Sequence, residues 1–126
     1  NVKLNHVEKW IEARNRIAKM YSEAFTAIEG IITPAVNQNE THNFHIYCIR
    51  TKKRDALKAH LQNAGVSTEI HYPLASPLTS AFNLNDKSDD FPNSFQLQNE
   101  VLSLPIYPEL TEAEIGYVIE KVKEFK

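Results

Sequence analysis

A histidine and a tyrosine at the end of a predicted strand are the residues of this chain best suited to binding a polar ligand. His71 and Tyr72 precede Pro73 and a long irregular stretch, and sites are often built where a strand gives way to a loop. An imidazole and a phenol can both donate hydrogen bonds to a ligand. The alternative is a strand end without a ligand, at which Pro73 only fixes the exit of the chain. Residue type alone leaves both interpretations open.

Three histidines raise the question of a metal site, because neutral imidazole is a common zinc ligand. His42 and His45 are three residues apart, and on a strand such residues point to opposite faces. No acidic residue accompanies them or His71 at a recognisable ligand spacing. We therefore predict no metal site.

The nucleophile and anion-binding motifs of the chain are incomplete. Cys48 is the single cysteine and stands in an apolar strand centre, where cysteine usually packs as a small apolar side chain. The basic cluster at residues 52–54 could meet an anion, but with Asp55 beside it the cluster can equally form a solvated turn. Glycine-rich phosphate loops and serine nucleophile motifs are absent from the sequence. The residues therefore predict no catalytic and no cofactor-binding group in this chain.

Composition excludes several classes of function. In the 126 residues, 14 Lys and Arg against 16 Asp and Glu give a net charge of −2, whereas nucleic-acid-binding domains usually carry a concentrated basic face. No apolar run approaches the ~18–20 residues that a membrane span needs. A single cysteine cannot form an internal disulfide, which favours a reducing compartment. We expect a cytoplasmic domain that binds neither nucleic acid nor a membrane.

A long amphipathic helix is predicted over residues 1–30. Its apolar side chains recur at spacings of three, four and seven, and they are Leu4, Val7, Ile11, Ala18, Tyr21, Phe25 and Ile28. Gly30 suits a left-handed cap at the end of this helix. At about seven turns the helix is long for a small domain, and we interpret it as a connecting helix that leads into an α+β body at residues 31–126.

The first part of that body follows a strand–helix–strand pattern. Residues 43–50 and 66–72 predict strands, and residues 52–64 predict a helix that ends at Gly65. We therefore predict an α+β fold, a small and mostly antiparallel sheet packed by helices, in a single domain over residues 1–126.

The second part of the body is less regular until its last helix. Residues 73–94 hold three of the six prolines and predict a surface loop. A short helix at 94–101 and an extended segment at 104–108 follow. Thr111 and Glu114 then form a capping-box pattern at the start of an amphipathic helix, which is the strongest helix signal in the chain.

Together these segments resemble the C-terminal small domain of the DegT/StrS family of pyridoxal-phosphate-dependent sugar aminotransferases. The resemblance covers Arg50 to Lys126, and Trp10–Tyr21 is similar to the helix that joins the family's large domain to its small domain. The matching segments are HIYCIR (45–50), RDALKAHL (54–61), GVSTEIHYP (65–73), FPNS (91–94), LSLPIYPELT (102–111) and EIGYVI (114–119). The HYP and SLPIYP segments, in this order and spacing, are the most specific of these.

The resemblance implies a type I aminotransferase fold and a homodimer in the full-length protein. Members of the family move an amino group from an amino acid, usually glutamate, to a keto-sugar attached to a nucleotide. The resemblance implies that a lysine of the large domain holds pyridoxal 5'-phosphate, so this chain alone is expected to bind no cofactor and to be inactive. It also implies that His71 and Tyr72 contact the substrate at the mouth of the sugar pocket.

The sequence departs from the family pattern directly after the HYP segment. Where the family commonly has Ile-Pro-Leu-His followed by Gln, this chain has LASPLT at residues 74–79. Ala75, Pro77 and Thr79 are the departing positions, with Pro77 in place of the second histidine and Thr79 in place of the glutamine. Two explanations stay open: a substrate that differs from the common sugars, or a copy that has lost activity.

Two rival interpretations do not involve an aminotransferase. One is a free-standing ferredoxin-like α+β module with a ligand-binding or regulatory role, whose ligand binds at the loop of residues 73–94. The other is a structural subunit that docks on a larger enzyme through its first helix. A cofactor-binding lysine encoded upstream of residue 1 would favour the aminotransferase over both.

Overall fold

The computed structural model describes residues 2–37, 40–81 and 89–126 of the chain. The elements in chain order are helix α1 (Val7–Phe25), strand β1 (Tyr47–Arg50), helix α2 (Arg54–Asn63), helix α3 (Pro92–Glu100), strand β2 (Val101–Leu104) and helix α4 (Glu112–Glu124). Short 3-10 turns lie at Lys3–His6 and Ser76–Leu78. The predicted α+β class, with a small antiparallel sheet and a long first helix, is confirmed.

The sheet is built around β2. β1 and β2 pair antiparallel, with Tyr47 opposite Leu104 and Arg50 opposite Val101. A single antiparallel bridge adds Ile32 to the far side of β1. All four side chains of β2 are buried, so both faces of the strand are covered.

The segment predicted as a strand at residues 66–72 forms only one bridge, between Glu69 and Ser103 of β2. The backbone explains why the pairing is so short. The N–H of Val66 bonds the carbonyl of Leu61 at 2.9 Å, in the turn that ends α2, and this turn holds the start of the segment away from β2. The strand prediction at 66–72 was therefore wrong, although the segment does lie on the expected sheet.

The strand predicted at residues 43–50 is shorter at its start. Phe44 has a φ of 44°, in the left-handed region that interrupts a strand. Its N–H bonds Nδ1 of His42 at 2.9 Å, which makes a local turn in place of a ladder. β1 thus begins at Tyr47, and Tyr47 and Ile49 point into the core with no exposed surface.

Helix α1 ends earlier than the apolar spacing at residues 1–30 predicted. The N–H of Ile28 bonds the carbonyl of Phe25, and the N–H of Ile31 bonds that of Ile28, so the chain tightens into successive turns. Gly30, with a φ of 81°, lies in these turns and does not cap the helix itself. α1 therefore has about five turns, fewer than the seven predicted.

The region between the loop and the last helix contains a strand that the sequence pattern did not predict. We expected a helix at 94–101 and an extended segment at 104–108. Helix α3 instead begins at Pro92, a residue that favours the first helical position, and passes straight into β2 at Val101.

Two predicted helix ends are confirmed. Gly65 has a φ of 76° directly after α2, as the left-handed cap requires. At α4 the Thr111 hydroxyl accepts the Glu114 N–H at 3.3 Å, and the Glu114 carboxylate accepts the Thr111 N–H at 2.8 Å. Both ends are local features, set by residues within one turn of each other.

The core lies between the sheet and helices α1, α2 and α4. Its side chains with no exposed surface are Ile17, Tyr21, Phe25, Tyr47, Ile49, Leu57, Leu61, Leu102, Ile115 and Val122. α1 packs against α4, and an exposed ion pair between Arg16 and Glu112 joins them at 3.0 Å.

Within the described ranges, every helix is too short or too polar to span a membrane.

The surface loop predicted at residues 73–94 is described only in part. Residues 82–88, which hold most of its polar run, lie outside the described residues. The described start of the loop contains the 3-10 turn at Ser76–Leu78.

Candidate functional site

His71 lines an open groove of ≈ 310 Å³ beside β2, which we call the His71 groove. Its walls come from the two residues before β1, the extended segment that bridges to β2, and the end of β2 with the residues after it. The lining residues are His45, Ile46, Ser67, Glu69, His71, Ser103, Leu104, Pro105, Ile106 and Tyr107.

The bridge to β2 positions His71. Glu69 and Ser103 exchange two backbone hydrogen bonds, of 3.2 and 2.8 Å. His71 is two residues further along the extended segment and therefore lies on the same side as Glu69. Its Nδ1 lies 2.9 Å from the Ser103 hydroxyl. This hydrogen bond orients the imidazole and leaves Nε2 as the ring nitrogen for a ligand.

Tyr72 lies next to the groove but does not line it. Its side chain is 73% exposed, and its ring meets the His71 ring edge-on, with the centroids 5.6 Å apart. The peptide bond between the two residues is cis. The structure thus places His71 in the groove and Tyr72 on its rim, and contact of either residue with a substrate stays a prediction.

Of the ten residues that line the groove, only His71 was among the predicted site residues. Ser103 and Tyr107 belong to the SLPIYP segment, which we singled out only for its resemblance to the family. Glu69 stands two residues before His71, so the alternation of an extended chain could have placed its carboxylate beside the imidazole. Ser103 could not have been found this way, because its contact with His71 spans 32 residues and depends on a strand that was not predicted.

The polar groups of the groove suit a neutral or weakly cationic ligand. The described lining contains one carboxylate, from Glu69, and two imidazoles, from His45 and His71, but no lysine or arginine. Hydroxyl groups can both donate to the carboxylate and accept from an imidazole. A phosphate would instead meet the Glu69 charge without a cation to offset it.

Of the three histidines considered for metal binding, His45 and His71 line the His71 groove and His42 does not. His42 bonds the Phe44 N–H and packs against its ring, outside the His71 groove. Across the described ranges, no three His, Cys, Asp or Glu side chains form a group that could hold a metal ion.

Cys48 is half-buried and lies opposite Ser103 in the sheet. Burial raises the pKa of its thiol, although a hydrogen bond with Ser103 acts in the opposite direction. Because the thiolate is the nucleophilic form, this environment disfavours nucleophilic chemistry.

The basic cluster at 52–54 does not act as a unit. The Arg54 guanidinium turns inward, pairs with the Asp55 carboxylate, and donates from Nη1 to the carbonyls of Gln98 and Val101, at 3.0 and 3.3 Å. Only 8% of Arg54 is exposed. Its charge therefore serves the junction of α3 and β2, and the two lysines beside it remain at the surface.

The positions that depart from the family pattern pack against the chain itself. Ala75 and Pro77 are buried, and the Ala75 N–H donates to the side-chain oxygen of Gln98 at 2.8 Å. The Thr79 hydroxyl donates to the carbonyl of Ser76 at 2.8 Å and ends the short turn. These contacts anchor the start of the loop, and none of the three residues lines the His71 groove.

Comparison with protein families gives one match that covers nearly the whole chain. Residues 1–123 fit the family model described as the DegT/DnrJ/EryC1/StrS aminotransferase family.

Individual proteins give similar matches. The chain is 38% identical to a pleiotropic regulatory protein of Geobacillus stearothermophilus, over 99% of this chain and 34% of that protein. It is 30% identical to dTDP-3-amino-3,4,6-trideoxy-alpha-D-glucose transaminase of Streptomyces venezuelae, over 98% of this chain and 33% of the relative. The crystal structure of S. venezuelae DesV in complex with a ketimine intermediate superposes with a TM-score of 0.93 at 30% identity, over 98% of this chain and 33% of that one. The chain therefore spans about a third of the length of the proteins that it matches.

Proposed function

The chain belongs to the DegT/DnrJ/EryC1/StrS aminotransferase family, and from this membership we propose that it is the C-terminal small domain of a larger sugar aminotransferase. In this proposal the full-length protein uses pyridoxal 5'-phosphate to move an amino group from an amino acid, glutamate in the first instance, to a nucleotide-linked keto-sugar. The observation that carries the proposal is the extent of the match: residues 1–123 fit the family, yet the chain spans about a third of each relative. A piece of that size can be one domain of such an enzyme.

The residues of this chain do not fit the cofactor by themselves. Pyridoxal phosphate needs a lysine amine for its aldehyde and cationic or N–H groups for its phosphate. The described lining of the His71 groove offers neither a lysine nor an arginine. We therefore assign the cofactor to the large domain, which is the first partner of this chain, and we assign no step of the transamination to the residues described above.

The contribution of this chain is to bind and orient the sugar. Nε2 of His71 and the Glu69 carboxylate face the same groove, where they can bond neighbouring hydroxyl groups of one ring. Tyr72 stands at the rim, in position to cover a bound sugar. The nucleotide and its phosphates then lie outside the groove, against the large domain or against the second subunit of a homodimer.

The proposal is tested on the full-length polypeptide, purified from its source. We expect a chain about three times the length of this one that absorbs visible light because of bound pyridoxal phosphate. Addition of glutamate should change that absorption, and dTDP-3-amino-3,4,6-trideoxy-α-D-glucose should change it as the amino sugar of the reverse reaction. Residues 1–126 alone should show neither the visible absorption nor its change on adding substrate, which makes them the matched control.

A colourless native polypeptide of about this length would contradict the proposal. The family resemblance would then reflect inherited packing, and a free-standing ligand-binding module would become the better interpretation. A coloured, full-length protein that reacts with glutamate but with no nucleotide-linked amino sugar would keep the aminotransferase and reject the sugar.

A further inference from the structure

We propose that Gln98 is a positioning residue for the sugar site, and that it holds Tyr72 at the rim of the His71 groove through the backbone of Ala75. This role rests on the proposed function, because it concerns the same site. Gln98 itself does not line the groove.

The segment that carries Tyr72 is fixed at two points. At one end His71 is bonded to Ser103, at 2.9 Å. At the other end the Ala75 N–H donates to Oε1 of Gln98, at 2.8 Å. Between these anchors, Tyr72 and Leu74 are 73% and 47% exposed, so packing constrains them little. Because only three residues separate the anchors, moving one of them must move Tyr72.

The bond to Gln98 is difficult for the loop to replace. Ala75 is only 6% exposed, and a buried N–H without an acceptor is strongly disfavoured. The residues two positions away on either side, Pro73 and Pro77, have no N–H to offer. Without the Gln98 side chain, the Ala75 N–H has to bond water instead, and the segment loses its connection to α3.

Gln98 is itself well placed to act as an anchor. Its backbone carbonyl accepts a hydrogen bond from the buried Arg54 guanidinium at 3.0 Å, which fixes the end of α3 against α2. Hydrogen bonds from a charged donor are stronger than those between neutral groups. A rigid backbone and a side chain of the right length thus connect the helical layer to the exposed rim of the site.

The chain offers a matched control one residue away. Asn99 is also an amide on α3, but it is exposed, and among the described residues its side chain bonds only the carbonyl of Phe95 within the helix, at 3.0 Å. Gln98→Ala removes the anchor, Gln98→Glu keeps an oxygen acceptor on a side chain of the same length, and Asn99→Ala removes an amide that does not bond residues 71–79.

The first measurement is amide hydrogen exchange in the full-length protein, read on the peptide that covers residues 71–79. We expect faster exchange in Gln98→Ala, and rates close to those of the unaltered protein in Gln98→Glu and Asn99→Ala. Unchanged exchange in Gln98→Ala would overturn the proposal whatever the substrate of the enzyme is.

The second measurement separates the two half-reactions. With dTDP-3-amino-3,4,6-trideoxy-α-D-glucose as the probe, Gln98→Ala should raise KM about fivefold, the size expected if the displaced Tyr72 loses one hydrogen bond to the sugar. KM for glutamate should not change, and Gln98→Glu should restore the sugar KM. A purely structural role would instead lower the melting temperature and impair both half-reactions.

The remaining outcomes distinguish the two proposals. Faster exchange with an unchanged sugar KM would overturn the positioning role and leave the proposed function intact. An unaltered protein that uses glutamate but no nucleotide-linked amino sugar would contradict the proposed function, and the positioning role would fail with it.

Discussion

His71 presents one ring nitrogen to the groove, because the other is engaged by Ser103 at 2.9 Å. An imidazole tied in this way has a fixed ring plane, so the direction of the hydrogen bond that Nε2 can form is fixed as well. The Glu69 carboxylate lies on the same side of the extended chain and accepts only. In our proposal the pair therefore distinguishes different arrangements of two hydroxyl groups, by which one sugar differs from another.

Replacement of His71 or Tyr72 by alanine tests this directly. In the full-length enzyme we expect each variant to weaken use of the sugar, with KM raised by about two- to tenfold, the range for one lost hydrogen bond. Both should keep their visible absorption, because neither residue holds the cofactor in our proposal. Steady-state kinetics with dTDP-3-amino-3,4,6-trideoxy-α-D-glucose and an absorption spectrum measure the two effects.

His6→Ala is the control for these variants, because His6 is exposed and stacks on Trp10 away from the lining of the groove. Its sugar kinetics should match those of the unaltered enzyme. If His71→Ala and Tyr72→Ala also match them, both site assignments must be discarded.

At the scale of single elements, the start of α4 shows how much a local motif contributes to the stability of the fold. The Thr111 hydroxyl satisfies the Glu114 N–H, which has no partner inside the helix. We expect Thr111→Ala to lower the free energy of unfolding by about 1 kcal/mol, and Thr111→Ser to preserve most of it. Urea denaturation followed by circular dichroism measures both, and equal midpoints for the two variants would show that the cap contributes little.

The same motif predicts a dependence on pH. Hydrogen bonds from the Thr111 hydroxyl and backbone lower the pKa of the Glu114 carboxyl below its usual 4.5. A carboxyl whose folded pKa is depressed contributes stability above its unfolded pKa and loses it as the pH falls through the folded value. The difference in stability between the unaltered chain and Thr111→Ala should therefore shrink below about pH 4.5. A constant difference down to strongly acidic pH would contradict this.

Arg54 connects two elements by filling the junction between α3 and β2. Its guanidinium donates to the carbonyl of Gln98 in α3 and to that of Val101 in β2. Loss of a charged donor to two carbonyls should destabilise the fold by about 3 kcal/mol in Arg54→Ala. Arg54→Lys should restore only part of this stability, since an ammonium lacks the planar arrangement of N–H donors of a guanidinium.

Lys53→Ala is the control for Arg54, because Lys53 is the exposed neighbour in the same cluster. Its effect on thermal stability should be close to zero. Equal losses in the lysine and arginine variants would mean that the charge of the cluster matters and the buried contacts do not.

These elements also show what the sequence could and could not predict. The cap of α4 and the Gly65 end of α2 were predictable, because each is set by residues within one turn. Strand β2 was not, because Val101–Leu104 is a strand only through pairing with β1, about fifty residues earlier in the chain. The same holds for the candidate site. His71 could be predicted from a local pattern and the family resemblance, whereas its partner Ser103 could not, because their contact depends on β2.

At the scale of the whole molecule, buried phenols connect distant parts of the chain. The Tyr21 hydroxyl donates to the carbonyl of Pro105 at 3.0 Å, and the Tyr47 hydroxyl lies 2.9 Å from that of Ser22. Burial raises the pKa of both tyrosines above the usual 10.0. α1 is thereby tied both to β1 and to the segment after β2.

The raised pKa values predict a loss of stability in alkaline solution. Above pH 10.0 the unfolded chain releases the phenolic protons of Tyr21 and Tyr47, whereas the folded chain retains them. Because the unfolded state then binds fewer protons, the free energy of unfolding falls as the pH rises. Urea denaturation on either side of that pH measures the fall.

Tyr21→Phe removes one of the two buried phenols. The free energy of unfolding should then fall less steeply above pH 10.0, although the variant is less stable at neutral pH. Tyr117→Phe is the control, because Tyr117 is 44% exposed and bonds the carbonyl of Ala64 at the surface. Its alkaline loss should be as steep as that of the unaltered chain. If stability falls equally steeply with pH in the unaltered chain, Tyr21→Phe and Tyr117→Phe, burial of Tyr21 does not cause the alkaline loss of stability.

The packing of α1 on α4 has a consequence for how the protein is made. Arg16 and Glu112, which pair across this contact, are 96 residues apart. A ribosome adds roughly 5–20 residues per second, so the apolar face of α1 is complete roughly 5–20 s before α4 has been synthesised. During that interval Ile17, Tyr21 and Phe25 have no α4 to cover them. The helix face that later packs in the core of the domain is, on the nascent chain, an exposed apolar surface to which a chaperone could bind.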